Sequence, residues 1–467
     1  MRFRLALLVL LSALAAACGP PSGVKHAERL LARGDYAGAD AEADRELARF
    51  PKHPTLWHVK VRAAMGRGDN ATAVKQYETW HQMRGADDAS LLRIMAKTVL
   101  WQALRSPSAA LKVAAIQTIE KLEIEELAHD VGERVLDDDD WVAAAASVAV
   151  LRAQPAAPRV ATDLLRSDDA RARALVVAGI GRKIGKRAHD DLTPMLRDRD
   201  AAVRRAAVTA VGAMKVDDDT PRLIEIAEKD ADGPVRASAL AALAVGKRTG
   251  VAQVAERALT DTYLGARLAA VELLARRGGD AGRPRLQALA RGDDRFVALR
   301  AASALAHREG GERIDAPLAA LDDQSPSLRA TATAAVADLV AKDRALELLG
   351  RRLVDSDPMV QLAAARALLH LGVDDQARPV LEKLLAADTD TVRVQAAVLL
   401  LPIDEKKALE TLSALCAAAD PTTREAAVHA HTAGRRPSKG LVAALADESA
   451  EVRIAAADTL LVLARGR

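Results

Sequence analysis

Side chains able to do covalent or metal chemistry are few and scattered in this 467-residue chain. Its cysteines are Cys18 and Cys416. Cys18 offers a thiol nucleophile directly after the small-residue run Ala15-Ala16-Ala17, whereas Cys416 lies in an apolar helical stretch, so no intramolecular disulfide is expected. His429-Ala430-His431 is the one close histidine pair. Residues two apart on a helix point about 200° apart, so these rings cannot chelate one ion. Asp137–Asp140 carries oxygens of the kind Ca²⁺ takes, but Asp139 falls in a column of helix caps, and the run reads as a solvated turn. There is no His-Glu-x-x-His, paired Cys-x-x-Cys, phosphate-cradling glycine loop or Gly-x-Ser-x-Gly elbow. Gly278-Gly279 and Gly310-Gly311 read as helix stops, and Trp57, Trp80, Trp101 and Trp141 as packing residues. The expectation is a non-enzyme with no catalytic, cofactor or metal site.

The elements that carry these residues follow from composition. Half of the residues are hydrophobic but only 2% are aromatic, so the core must be Ala, Leu and Val at close helix–helix distance. Formal net charge is +3, and without Arg2 and Arg4 it becomes +3 − 2 = +1. That balance, with so few aromatics to stack on bases, speaks against a nucleic-acid partner.

Residues 1–17 form a unit of their own. Arg2 and Arg4 give a basic start, Leu5 to Leu14 an apolar stretch shorter than the roughly 20 residues a bilayer span needs, and then come the three alanines. Leu14-Ala15-Ala16-Ala17-Cys18 resembles the lipobox of a bacterial lipoprotein signal peptide. The resemblance implies lipidation of Cys18, cleavage before it, a linker over 18–23, and a lipid-anchored place in the cell envelope. Gly19 after the cysteine implies the outer membrane, with the leaflet and its facing left open.

Two periods organise the rest. Gly34-Asp35-Tyr36 with Ala39 and Pro51 recurs as Gly68-Asp69-Asn70 with Ala73, preceded by Trp57 and followed by Tyr77. This spacing resembles the tetratricopeptide repeat and predicts two antiparallel helix pairs over 24–87, although Lys60 and Val61 depart from that family's preferences.

Over 88–467 the chain aligns on Leu111, Val142, Ala172, Val203, Val235, Ala266, Val297, Leu328, Val360, Val392, Thr423 and Val452, in steps of 29 to 32 residues. Around Val203 the set Val203, Ala206, Ala207, Ala210 and Val211 makes the i, i+3, i+4, i+7, i+8 stripe of an amphipathic helix. Three residues before each aligned position sit Ser108, Asp139, Asp169, Asp200, Asp232, Tyr263, Asp294, Ser325, Asp357, Thr389, Asp420 and Ser449. All but Tyr263 are N-cap types, and Pro326, Pro358 and Pro421 follow their caps, where no N–H is needed. One residue after the aligned position come Lys112, Arg173, Arg204, Arg236, Arg267, Arg329, Arg393, Arg424 and Arg453, with Ala143, Ala298 and Gln361 as exceptions. Second helices are expected at Pro221–Lys229, Val251–Leu259, Ala316–Leu321, Ala345–Leu353 and Ala377–Leu385.

The Asp…Val-Arg…Ala…Ala-Leu pattern resembles HEAT repeats in their short, phycobilisome-lyase-type form. That resemblance implies an all-α superhelix, a right-handed α-solenoid of about twelve stacked hairpins with a concave face. It also implies that the basic column pairs with acids of its own or a neighbouring repeat, as a structural ladder. The last repeat is expected to stop after one helix, Val452–Ala464, so its outer face needs a partner, a cap or tolerance of exposure. The functional expectation by analogy is a non-catalytic scaffold binding envelope proteins along the concave face. A phycobilisome-lyase-like enzyme or enzyme partner, and a peptidoglycan- or polysaccharide-binding protein, stand as alternatives.

Overall fold

A computed structural model describes residues 22–245, 248–309 and 315–465. Cys18, the signal segment and Gly310-Gly311 lie outside the described residues. Those described form an all-α solenoid architecture of stacked helical hairpins, without a β-strand among them.

The first helices are Ser22–Ala32, Tyr36–Leu47, Pro54–Gly66 and Asn70–Arg84, two hairpins closed by repeated turns. Gly34 and Gly68 take φ of 77° and 79°, a left-handed conformation that costs glycine nothing. Asp35 and Asp69 then cap the next helices, accepting from Gly38 N and Thr72 N. Lys60 lies buried, its Nζ 2.8 Å from Asp40 and 2.6 Å from Asp44 on the preceding helix.

From Ala109 onward a capped helix alternates with a shorter outer one. Asp139, Asp200 and Asp357 each accept from two first-turn N–H groups, and Ser108, Asp169, Asp232 and Asp420 from one. Ser325 and Thr389 depart from the cap expectation: both stand at the cap position with extended backbone, yet neither side chain bonds a first-turn N–H. At Thr389 the next residue, Asp390, is turned to Arg393 instead. The outer helices run Thr220–Lys229, Ala252–Ala258, Asp315–Ala320, Lys342–Arg352 and Asp374–Leu384, within a few residues of the expected spans.

Two compact units result. One is Ser106–Leu415; the other joins the described residues up to Arg105 to those from Cys416 onward. In Ser106–Leu415 each capped helix packs on the capped helices before and after it, and the outer helices cover one side of that row. Alanine and glycine set the spacing: a Cβ on Gly212 would stand 2.5 Å from the Ala242 Cβ of the next capped helix.

In the other unit, the last helix, Ala450–Arg465, packs against Ala89–Leu104 as well as against Pro421–Ala430. Val452, Ala456, Ala457 and Leu460 are buried there. One face of Ala450–Arg465 is thus covered by Ala89–Leu104, a helix far from it in sequence.

Candidate interaction surface

The basic column points into the turns between repeats. Arg173 grips Asp198 with Nε and Nη2, both at 2.8 Å, while Nη1 donates to Ser167 O and Asp168 O of its own turn. Arg204 holds Asp230 at 2.8 Å through both nitrogens, Arg236 holds Asp261 at 2.7 and 2.6 Å, and Arg329 holds Asp355 at 3.0 and 2.8 Å. In the other unit Arg424 holds Asp447 at 2.8 Å through both. Lys112 reaches Asp137 at 2.9 Å. Each of these carboxylates also accepts the backbone N–H two residues on, as in Asp230 to Asp232 N at 2.9 Å. One acid therefore welds a guanidinium of one repeat to the cap of the next.

The electrostatics follow this geometry. Arg236 holds the Asp261 carboxyl below the usual carboxylate range, and Arg329 does so for Asp355. For Asp198 and Asp230 burial pushes upward, but the bonds from Arg173 and Arg204 outweigh it.

Where the partner acid is missing, the guanidinium finds another. Gly292 stands where Arg267 would find its aspartate, and Arg267 Nε bonds the cap Asp294 at 2.8 Å. Ala418 stands there for Arg393, which turns back to Asp390. Arg453 donates to the carbonyls of Asp447 and Glu448, and Gln361 keeps the same carbonyl bond, to Asp355 O at 2.6 Å. This second acidic column, two residues before seven of the twelve cap positions, escaped the sequence reading, although Asp137, Asp198, Asp230, Asp261, Asp323, Asp355 and Asp447 are visible at that spacing. A further set of pairs joins consecutive outer helices: Glu228 with Arg257, Glu256 with Arg285 at 2.7 Å, and Glu382 with Lys407 at 2.7 Å.

The other singled-out residues are engaged locally. His431 is fully buried between Ala427 O and Ser438 Oγ, both at 2.7 Å, whereas His429 is half exposed beside Glu425. Asp137 takes Lys112, Asp139 caps its helix, and Asp140 accepts from Ser167 at 2.5 Å. Trp57 stacks on Trp80 with centroids 6.3 Å apart, and Trp80 Nε1 donates to buried Asp88 at 3.0 Å. Arg105 lies over Trp101 and Arg171 over Trp141. Among the described residues no three His, Cys, Asp or Glu side chains converge as a metal set, and no helix is long and apolar enough to cross a membrane.

With the basic column turned inward, the solvent side of the capped helices carries other residues. Nine positions after Asp169, Asp200, Asp232, Tyr263, Ser325 and Asp357 stand Ala178, Thr209, Ala241, Glu272, Ala334 and Arg366, all exposed or half-exposed, with Arg205 and Thr331 nearby. They make a row of small and polar side chains with sparse arginines.

Residues 158–244 and 314–402 match the family model for HEAT repeats. No curated protein matches the chain in sequence. Among solved structures the chain is similar to the complex of CpcE and CpcF of phycocyanin lyase from Nostoc sp. PCC7120, at 22% identity over 48% of this chain and 92% of that one, with a TM-score of 0.33. It is similar to Escherichia coli YibA, at 18% identity over 63% of this chain and 98% of that one, with a TM-score of 0.30. Kap121p gives 14% identity over 85% of this chain and 51% of its own, with a TM-score of 0.32. All three similarities are distant.

Proposed function

We propose that the protein is a non-catalytic scaffold, held at a bacterial envelope by lipid on Cys18, that binds other proteins along the exposed face of its capped helices. The observation that carries this reading is the fate of the arginine column. Its guanidiniums are spent on the turns of their own and the next repeat, which fixes the helices side by side. What remains free is a row of helix faces with small and polar side chains, on which a partner surface can lie close to the backbone. The match to HEAT repeats supports it, since such arrays commonly serve protein interaction. The envelope part rests on the residues around Cys18, and the two leading hairpins serve in this reading as a tetratricopeptide-like second binding element.

The test is crosslinked affinity purification of the tagged protein from detergent-solubilised envelopes, with Cys18→Ser in parallel. A stoichiometric partner crosslinked to capped-helix residues supports the scaffold. Persistent membrane pelleting of Cys18→Ser removes the anchor, and a partner set no richer than that of the variant removes the envelope scaffold.

A further inference from the structure

Among the described residues of Ser106–Leu415, every joint between successive repeats but one is tied at its cap-side turn. Where the arginine–aspartate clasp itself is absent, a substitute spans the gap: Ser167 Oγ donates to Asp140 at 2.5 Å, Arg267 Nε to Asp294 at 2.8 Å, and Arg295 pairs with Asp323. The exception lies between Pro358–His370 and Asp390–Leu400. Gln361 fills the arginine position and Ala387 the aspartate position, so neither half of the clasp is present. Gln361 Nε2 donates to Asp355 O of its own turn, Thr389 makes no side-chain cap bond, and Arg393 turns to Asp390 of its own helix. No side-chain hydrogen bond or ion pair among the described residues crosses this joint on its cap side.

Packing is one-sided there as well. Pro358–His370 and Asp390–Leu400 pack on each other less extensively than any other pair of successive capped helices in the unit. The outer side is held instead: Asp374–Leu384 packs on both capped helices, and its Glu382 pairs with Lys407 of Glu405–Leu415 at 2.7 Å. That pair is solvated, so it positions the outer helices more than it stabilises them. In a stack of repeats each unit touches only its neighbours, and a weak joint is not made good by distant ones. A joint tied along one side and untied along the other turns about the tied side.

We infer that this joint is a hinge: the last hairpin of the unit, Asp390–Leu400 with Glu405–Leu415, pivots on the outer helix Asp374–Leu384 and opens the cap-side turn between Gln361 and Ala387. The motion changes the spacing of two neighbouring capped helices while the clasped joints before them keep theirs. The hinge stands on the contacts of the joint itself and holds whether or not the capped-helix face binds a partner.

The test is a set of nitroxide distance distributions from dipolar electron paramagnetic resonance on the full Cys18→Ser chain. Buried Cys416, its thiol pushed up to about 12, stays unlabelled at neutral pH. One label pair, Ser356→Cys with Asp388→Cys, spans the cap side of the open joint; Gln324→Cys with Ser356→Cys spans the clasped joint before it; Lys383→Cys with Glu410→Cys spans the outer side of the open joint, all at exposed positions. The first distribution is expected to be at least about twofold broader than the other two. Adding Gln361→Arg with Ala387→Asp, which installs the missing clasp, is expected to narrow it to the width of the clasped joint while the circular dichroism spectrum stays unchanged. Equal widths on the two cap sides overturn the proposal, as does a first distribution that the added clasp leaves broad. An outer-side distribution as broad as the first also overturns it, since the hairpin would then be loose rather than hinged.

Discussion

Arg236 and Asp261 clasp each other across the joint between neighbouring repeats, Nε to Oδ2 at 2.7 Å and Nη2 to Oδ1 at 2.6 Å, while Arg236 Nη1 holds Asp230 O at 2.8 Å. The same guanidinium thus touches the backbone of the aspartate that Arg204 grips and the carboxylate of the next turn, so this repeat is linked on both sides.

Removing one member should cost more than a surface pair does. The two side chains retain 13% and 10% of their exposure, so water offsets only part of the loss. Asp261→Ala is expected to destabilise Ser106–Leu415 by about 2 kcal/mol, between the surface and buried limits. A double-mutant cycle with Arg236→Leu should give a coupling above about 1 kcal/mol by urea unfolding. Additive effects would show that the clasp is ornamental.

Acid should loosen the ladder. Asp198, Asp230, Asp261 and Asp355 titrate below their ordinary 3.8 in the folded protein, so the unfolded chain binds protons more readily. Their stabilisation is complete above that ordinary value and is lost as pH falls below about 4 toward the folded values. Helical signal against pH should drop there, and Asp230→Asn should start lower and fall less steeply. A wild-type curve flat to pH 2 would contradict the linkage.

Gly212→Val tests the helix spacing. Its side chain would meet Ala242 on the next capped helix, and the overpacking should cost about 1–3 kcal/mol. Pairing it with Ala242→Gly is expected to restore part of the loss. An unchanged unfolding midpoint for the single variant would mean that these helices do not approach as described.

The closing contact offers a fourth test. Ala456→Asp puts a charge at a fully buried position of Ala450–Arg465, and a loss of several kcal/mol is expected. Hydrogen exchange should rise in Ala89–Leu104, which covers that helix, while Ser106–Leu415 keeps its protection. Unchanged protection of Ala89–Leu104 would refute the packing.

Much of this protein was legible from local rules. A cap acts on N–H groups two or three residues away and a stripe repeats every three or four, so Asp200, Val203 and Ala207 announce their helix without knowledge of its neighbours. Period, helix type, turn positions and the column of Arg173, Arg204 and Arg236 were therefore set by residues close in sequence. What each arginine grips was not, because a guanidinium's partner depends on what the next repeat brings within 3 Å: Asp230 for Arg204, but Asp390 of its own turn for Arg393. The cover over Ala450–Arg465 likewise belongs to tertiary structure. Packing between distant helices follows from the surfaces that folding brings together, which no period in the chain encodes.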